Sequence, residues 1–293
     1  MKKFILREKL EEFIGLLKSG EIEVYNEFSF QHELGYFLRN QLKQHPGDFK
    51  IQFERNFKEI LNLNEENLDG RFGPKKVRKK EIDISIFQGP VNLASIELKF
   101  PRNGQVPESM YSFVKDVKFL EGLTSSKNKK SINMFSEGFF ICLVDHSLFY
   151  QGGSKKDGIY EYFRRKEKKV RICKETKKPT GENTESEEYT IRLNKEYVGE
   201  WLPIKDEMHY LLFVLNKCYK DPKVRDEFLK ECGIEKYGSD DQFDYEFNCL
   251  PSPTTGVTHS VDGPFVQSIW KGWTIERWRR WSEAAGRLWW VPW

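Results

Sequence analysis

The chain has 293 residues, and 48 Lys and Arg residues nearly balance 45 Asp and Glu residues, leaving a formal net charge of +3. Because 38% of the residues are hydrophobic, the chain can build a sizeable core, which excludes disorder throughout its length. The five cysteines form no Cys-x-x-Cys pair and the apolar runs are too short to cross a bilayer, so we expect a cytoplasmic protein that does not bind membranes.

The first half of the chain alternates helical and strand patterns. Apolar residues at helical spacing indicate amphipathic helices, and period-two alternation indicates half-buried strands. In chain order, the predicted elements are a helix to about Ser19, a helix from Phe28 to about Gln44 capped by Ser29, and a strand from Phe49 to Phe53, then strands Glu81–Ile86 and Ala94–Phe100, a helix from about Pro107 to Leu123 and a strand Glu137–Val144. A crossover helix between strands implies a parallel pair, so we expect an α/β fold with a mixed sheet.

The second half of the chain begins with a strongly basic segment. Between Lys155 and Lys178 there are eleven Lys or Arg residues against four Asp or Glu residues, a pattern typical of a long solvated hairpin or flap. The segment is expected to return through 189–193. Two helices are predicted after it, from about Asp206 to Tyr219 and from Asp221 to Cys232.

The two adjacent strands at 81–86 and 94–100 carry the most informative polar residues. Ile82, Ile84 and Ile86 alternate with polar residues in the first strand, and Ile96 and Leu98 do so in the second. A hairpin that turns these apolar faces toward one core must place Asp83, Glu97 and Lys99 together on the opposite face. Two carboxylates and an ammonium group are thereby expected on one rigid sheet.

These residues, together with Glu33 on the preceding helix, resemble the PD-(D/E)xK nuclease superfamily. The resemblance covers the order of elements from about Phe28 to Val144, and Glu97-Leu98-Lys99 matches the E-x-K motif. Ile82 stands where many members have proline. The resemblance implies a restriction-endonuclease-like core of order α-β-β-β-α-β, and a Mg²⁺-dependent endonuclease that hydrolyses DNA, plausible in bacterial defence or restriction.

The chemistry of phosphodiester hydrolysis explains the residue types. Mg²⁺ prefers oxygen ligands, which here would be Asp83, Glu97 and the backbone carbonyl of Leu98, with Glu33 reaching the site directly or through water. Mn²⁺ could substitute. Lys99 would orient the attacking water and stabilise negative charge. The catalytic set is therefore expected to be Glu33, Asp83, Glu97 and Lys99.

Basic residues flank this constellation and are expected to contact the phosphates of DNA, with RNA left open. They lie in the run before the first strand of the hairpin, on the helix from Pro107 and in the basic segment. The expected contacts are Lys75, Lys76, Arg78, Lys79, Lys80, Lys115, Lys118, Arg164 and Arg165.

Three alternatives stay open. The Asp83 and Lys99 side chains could form an ordinary surface ion pair, and the basic runs could be solvated loops. The chain could also be a nucleic-acid-binding module that keeps the nuclease fold without activity. A glycosidase-like enzyme with paired carboxylates fits less well, because a lysine beside the acid suits phosphate better than sugar.

The C-terminal residues differ in composition from the rest. Seven of the eight tryptophans fall in the last 24 residues, after a stretch from Tyr237 to Pro264 with the composition of a linker. Four of them share one side of a predicted helix, Phe265–Trp281. We expect residues 1–219 to form the nuclease-like domain and 220–293 an extension. Its tryptophans are expected to dock on that domain, a second copy or a partner protein, although stacking on single-stranded nucleic acid is also compatible with the pattern.

Overall fold

A computed structural model describes residues 5–219, with gaps at 46, 64–69, 90, 103, 127–133, 153–156, 183 and 217. The predicted linker, the helix 221–232 and the tryptophan-rich helix 265–281 lie outside the described residues. In chain order the helices are α1 (Leu6–Ser19), α2 (Glu27–Lys43), α3 (Phe57–Leu61), α4 (Val106–Thr124) and α5 (Ile159–Phe163), with short 3₁₀ turns at Gly70–Phe72, Ser147–Phe149 and Lys166–Lys168. None of the helices within these bounds is both long and apolar enough to cross a membrane.

The first two helices begin and end where local chemistry favours it. Helix α1 ends at Gly20, whose left-handed backbone (φ 77°) lets its N–H donate to the carbonyls of Leu16 and Leu17. Helix α2 is capped by Asn26, whose side chain accepts from the backbone N–H of Ser29 at 2.8 Å. The Ser29 hydroxyl in turn accepts from the N–H of Asn26 at 3.1 Å. Ser29 is therefore the reciprocal partner in a capping box rather than the predicted cap.

Among the described residues there are twelve strands, which alternate with these helices along the chain. They are β1 (Phe49–Asn56), β2 (Glu81–Gln88), β3 (Val91–Lys99), β4 (Ser125–Ser126), β5 (Glu137–Val144), β6 (Lys169–Ile172), β7 (Glu175–Thr176), β8 (Ile191–Arg192), β9 (Tyr197–Glu200), β10 (Leu202–Lys205), β11 (Met208–Asn216) and β12 (Cys218–Tyr219). Six of them form one mixed sheet in the order β1-β2-β3-β5-β11-β10. Strands β2 and β3 are antiparallel with Ile84 opposite Ile96, and β3 and β5 are parallel with Glu97 opposite Phe140. The predicted α/β class, hairpin and parallel pair are confirmed.

The predicted helix from Asp206 to Tyr219 is wrong. Residues Met208–Asn216 form strand β11, which pairs antiparallel with β5 over eight positions from His209 to Asn216. The run from Tyr210 to Leu215 is continuously apolar, and such a run fits a strand in the middle of a sheet as well as it fits a buried helix. Periodicity alone does not distinguish the two.

Helices cover both faces of the sheet. The α1 and α2 side chains pack with Ile84, Ile96 and Leu98 on one face, whereas α4 packs with Phe140 on the other. Helix α2 lies very close to the sheet at Gly35, where a Cβ atom would come within 2.3 Å of the Phe53 ring. A residue with a Cβ atom could keep this approach only if the Phe53 ring moved.

The basic segment is not the solvated flap that its composition predicts. Helix α5 and strands β6 and β8 contribute fully buried side chains to the core on the α4 side: Phe163, Val170, Ile172 and Ile191. Trp201 is also buried there and donates from its indole N–H to the carbonyl of Phe163 at 3.1 Å. The charged residues of this segment lie on the surface of a region that has a packed core.

Candidate functional site

Two buried carboxylates lie at the end of the β2–β3 hairpin. Asp83 on β2 is 6% exposed and Glu97 on β3 is fully buried, both on the face opposite Ile84 and Ile96. The backbone N–H of Leu98 donates to Asp83 Oδ2 at 2.7 Å, so the aspartate side chain fastens its strand to β3. The predicted placement of both carboxylates on one polar face agrees with this arrangement, although that face is buried.

An ammonium group lies between the two carboxylates. Lys79, from the segment that leads into β2, places Nζ 2.6 Å from Asp83 Oδ1 and also in hydrogen-bond contact with Glu97 Oε2. Its side chain is 17% exposed. Lys79 was expected to contact nucleic acid, and the structure instead places its charge inside the carboxylate pair.

The second lysine of the site is held by two hydrogen-bond acceptors and one further carboxylate. Lys99 Nζ donates to Glu27 Oε1 at 2.9 Å and to the carbonyl of Leu98 at 2.9 Å. It also lies 3.3 Å from Asp116 Oδ2 in ion-pair but not hydrogen-bond geometry. Glu27 begins α2 and also accepts from the backbone N–H of Phe100 at 3.3 Å, whereas Asp116 comes from the middle of α4. The site therefore forms where the end of β3 meets α2 and α4.

The site has more negative than positive groups and incomplete hydrogen bonding. Four carboxylates surround two ammonium groups, which leaves a formal excess of two negative charges when all are ionised. Glu97 Oε1 and Asp116 Oδ2 are buried without a hydrogen-bond partner among the described residues. Most buried polar atoms in folded proteins are paired, so these two oxygens call for an explanation.

The pKa values of the site follow from burial and mutual charge. Burial, reinforced by the neighbouring Asp83 carboxylate, raises the pKa of Glu97 well above its usual range, and Lys79 only partly opposes this. Burial alone would lower the pKa of Lys79, but the charges of Glu97, Asp116 and Asp83 raise it above the ordinary value for lysine. Burial would also lower the pKa of Lys99, but the charges of Asp116 and Glu27 raise it above the ordinary value for lysine. Both lysines are therefore held in their charged form.

The pair of Asp83 and Glu97 suits a small cation. Both carboxylates already contact one ammonium group, and Glu97 Oε1 still lacks a partner. Across the described ranges, no group of three or more His, Cys, Asp or Glu side chains has the arrangement of a metal site. A divalent cation here would thus have Asp83, Glu97 and the Leu98 carbonyl as protein ligands, and would compete with Lys79.

Glu33 lies apart from these contacts. Its side chain is 38% exposed and its nearest ionic partner is the His32 imidazole, at 3.6 Å. Helix α2 instead contributes Glu27, six residues earlier, to the Lys99 ammonium. Glu27 is present in the sequence immediately before the predicted start of the helix, but the rotation and tilt of the helix against the sheet decide which carboxylate reaches β3.

Sequence reasoning also missed Asp116 and the role of Lys79. Asp116 is 1% exposed and lies among the apolar residues of α4, where an acid without an obvious partner is itself a signal. Lys79 belongs to a run of six residues that includes five Lys or Arg, and nothing in the run separates this lysine from its neighbours.

The remaining basic residues occupy different environments. Lys75, Lys76 and Lys80 are exposed, and the Arg78 guanidinium donates to the carbonyl of Gly73 at 3.2 Å. Lys118, also among the expected contacts, is buried and donates to Glu121 at 3.2 Å, so its ammonium is not on the surface. The other three predicted contacts are partly exposed: Lys115, Arg164 and Arg165. Arg164 donates to the carbonyl of Leu148 at 2.6 Å and stacks on Tyr160.

Comparisons of the chain with protein families, with curated proteins and with solved structures gave no match. The residues of the site are therefore what indicates the function of the chain.

Proposed function

We propose that the protein is a metal-dependent nuclease that hydrolyses phosphodiester bonds at the Asp83, Glu97 and Lys99 cluster. The observation that supports this most directly is the incomplete pairing of Glu97 in a fully buried position. A carboxylate oxygen without a partner is costly in the interior unless a cation or ligand completes it. The order of elements, α-β-β-β-α-β, is also the order expected of PD-(D/E)xK nucleases.

Asp83, Glu97 and the Leu98 carbonyl would hold Mg²⁺ or Mn²⁺. When bound, such an ion lowers the pKa of its water and neutralises charge on the scissile phosphate. Lys79 contacts one oxygen of each carboxylate, so its ammonium would compete with the ion for this position. The segment that carries Lys79 also carries the exposed Lys75, Lys76 and Lys80, which suit contacts with phosphates.

Lys99 would stabilise the negative charge that develops on the phosphate. Its two carboxylate partners differ in their access to solvent: the Glu27 side chain is 45% exposed, whereas that of Asp116 is 1% exposed. A phosphate oxygen can therefore replace Glu27 beside the ammonium more easily than it can replace Asp116. In this mechanism Asp116 fixes the position of Lys99, and Glu27 is the partner exchanged for substrate.

A second candidate function is nucleic-acid binding without catalysis. It is favoured by Lys79, which already partly neutralises Asp83 and Glu97 without a metal. In that case the carboxylates and lysines would be a buried ion-pair cluster that supports the fold, and the basic surface alone would be functional.

One experiment separates the two functions. Supercoiled, linear and single-stranded DNA, and RNA, are incubated with the protein in Mg²⁺, Mn²⁺ or EDTA, beside Glu97→Gln and Lys99→Met. The nuclease predicts metal-dependent cutting that both substitutions lower by about 10² to 10³. Matched controls are Glu185→Gln and Lys177→Met, an exposed ion pair far from β3 in sequence, and these should cut normally.

Binding without metal-dependent cutting by the wild-type protein would overturn the nuclease and support the second function. Equal cutting by wild type and by both site variants would instead show that the activity is located elsewhere.

A further inference from the structure

Helix α2 exposes a stripe of aromatic and basic side chains. At about 100° per residue, Phe28, His32, Tyr36, Arg39 and Lys43 fall within an arc of about 80°. All five are exposed: Phe28 by 71%, Tyr36 by 61% and the His32 side chain by 69%. We call these five residues the α2 stripe. It contains no carboxylate.

The composition of this stripe is unusual for an exposed helix face. Helix α1, which packs on the same face of the sheet, exposes Glu8, Glu12 and Lys18 as an ordinary amphipathic helix does. Among the described residues, three of the six exposed large hydrophobic side chains are Tyr25, Phe28 and Tyr36, and all three are aromatic. Single exposed apolar residues are common, whereas a contiguous set marks a binding surface.

The stripe starts at the candidate site. Phe28 follows Glu27 directly, and the carboxylate of Glu27 is the exposed partner of Lys99. Tyr25, which is 68% exposed, lies just before the Asn26 cap. A nucleic-acid strand with its phosphodiester beside Lys99 would therefore lie next to the exposed rings of Tyr25 and Phe28 where it leaves the site.

The other end of the stripe is basic. Arg39 and Lys43 lie about 16 to 22 Å along the helix from Phe28, at 1.5 Å per residue. They border a groove that Lys50 also lines, where Asp48 lies 3.5 Å from the Lys50 ammonium. Rings followed by cations are the combination that binds unpaired nucleic acid, because bases stack on aromatic faces and phosphates pair with basic groups.

We propose that the α2 stripe binds unpaired bases of the strand that is cut, so that the substrate is single-stranded nucleic acid or the unpaired part of a duplex. This inference rests on the proposed nuclease function for its orientation relative to the site. Paired bases are stacked inside a duplex and present no free ring face to Phe28 or Tyr36, so the stripe discriminates against duplex.

The test measures binding by the full chain in EDTA, where no metal-dependent cutting takes place. Fluorescein-labelled single-stranded DNA, single-stranded RNA, the matching duplex and an abasic strand of equal length are titrated with wild type and with the double variant Phe28→Ala and Tyr36→Ala. We expect the dissociation constant for DNA or RNA single strands to rise at least tenfold, the change that about 1.4 kcal/mol of lost stacking produces. Duplex and abasic strand should change less than twofold.

The matched control is Val198→Ala on β9, which removes an exposed apolar side chain (65% exposed) elsewhere and should bind as wild type. A double variant Phe28→Trp and Tyr36→Phe keeps both rings and should restore binding. Unchanged affinity for single strands in the alanine variant would overturn the proposal.

Two other occupants of the stripe are distinguishable in the same samples. If the alanine variant changes from dimer to monomer in sedimentation while its single-strand affinity is unchanged, a second copy covers the stripe and the proposal is wrong. If instead tryptophan emission shifts at unchanged affinity, the tryptophan-rich C-terminal residues cover it and the proposal is equally wrong. Failure of Glu97→Gln to lower cutting would remove the nuclease site but leave the binding result standing, so the two failures are separable.

Discussion

Helix α4 carries two buried carboxylates with very different surroundings. Glu121 is 5% exposed, and its oxygens accept from the backbone N–H of Asn194 at 2.9 Å, the hydroxyl of Tyr197 at 3.0 Å and the ammonium of Lys118 at 3.2 Å. Asp116, five residues earlier, is 1% exposed and has one oxygen without a hydrogen bond among the described residues.

Glu121 belongs to a structural polar cluster, whereas Asp116 belongs to one that suits a ligand. Both oxygens of Glu121 accept hydrogen bonds from described residues, so that cluster is complete as it folds. The cluster of Asp83, Glu97 and Asp116 has an excess of negative charge and two oxygens without a hydrogen bond among the described residues. Incompletely paired buried charge of this kind is a feature that functional sites share, which is why we place the proposed cation at this cluster.

The largest expected effect is on catalysis. Glu97→Gln should lower cutting by about 10³, because the amide removes the charge that holds the cation. The free energy of unfolding without metal should fall by no more than about 1 kcal/mol, since the amide also removes a buried charge with an unsatisfied oxygen. Cutting assays and urea unfolding check this, and a large loss of stability would make Glu97 structural.

The opposite result is expected at the complete cluster. Glu121→Ala should lower the free energy of unfolding by about 3 kcal/mol, because it leaves the Lys118 ammonium buried and uncompensated. Cutting per folded molecule should stay within about twofold of wild type. Urea unfolding beside active-site titration measures both quantities, and a loss of cutting larger than the loss of folded protein contradicts the comparison.

Metal should stabilise one cluster and not the other. At a Mg²⁺ concentration ten times its dissociation constant, the wild type should gain about 1.4 kcal/mol of stability. Glu97→Gln should lose this gain, whereas Glu121→Gln should keep it. Thermal unfolding with Mg²⁺, with Ca²⁺ and with EDTA provides the measurement, and an equal gain in both variants would locate the cation elsewhere.

The smallest effect distinguishes the two buried lysines. Lys79→Met should lower the dissociation constant for Mg²⁺ by about fivefold, which corresponds to about 1 kcal/mol, because the competing ammonium is gone. Lys118→Met, the matched variant at the complete cluster, should leave that constant unchanged. Calorimetric titration of both variants with Mg²⁺ measures the two dissociation constants. Weaker binding of Mg²⁺ by Lys79→Met would show that the lysine supports the cation site rather than competes for it.

The sequence was sufficient to predict the parts of this site that depend on local pattern. Apolar and polar residues alternate along 81–86 and 94–100, and this pattern alone places Asp83, Glu97 and Lys99 on one face of the hairpin. Glu27 and Asp116 could not be found in this way, because their contact with Lys99 depends on how α2 and α4 pack across the end of β3.

Two other features of the structure could not be predicted from the local sequence pattern. Helical spacing places Phe28 and Tyr36 opposite the buried side of α2, but the structure is needed to show that no other described element covers them. Strand β11 is a continuous apolar run, so its pairing with β5 decides that it is a strand.

Gly35 makes the geometry of the site depend on a position that touches none of its charges. Since a Cβ atom at 35 would come within 2.3 Å of the Phe53 ring, an alanine there would displace either that ring or α2 itself. Glu27 lies about 12 Å along the same helix, at 1.5 Å per residue, and a rigid helix transmits such a displacement to its ends. Where α2 rather than the ring moves, a substitution at 35 changes the spacing between Glu27 and Lys99 from two turns away, without contact with either residue.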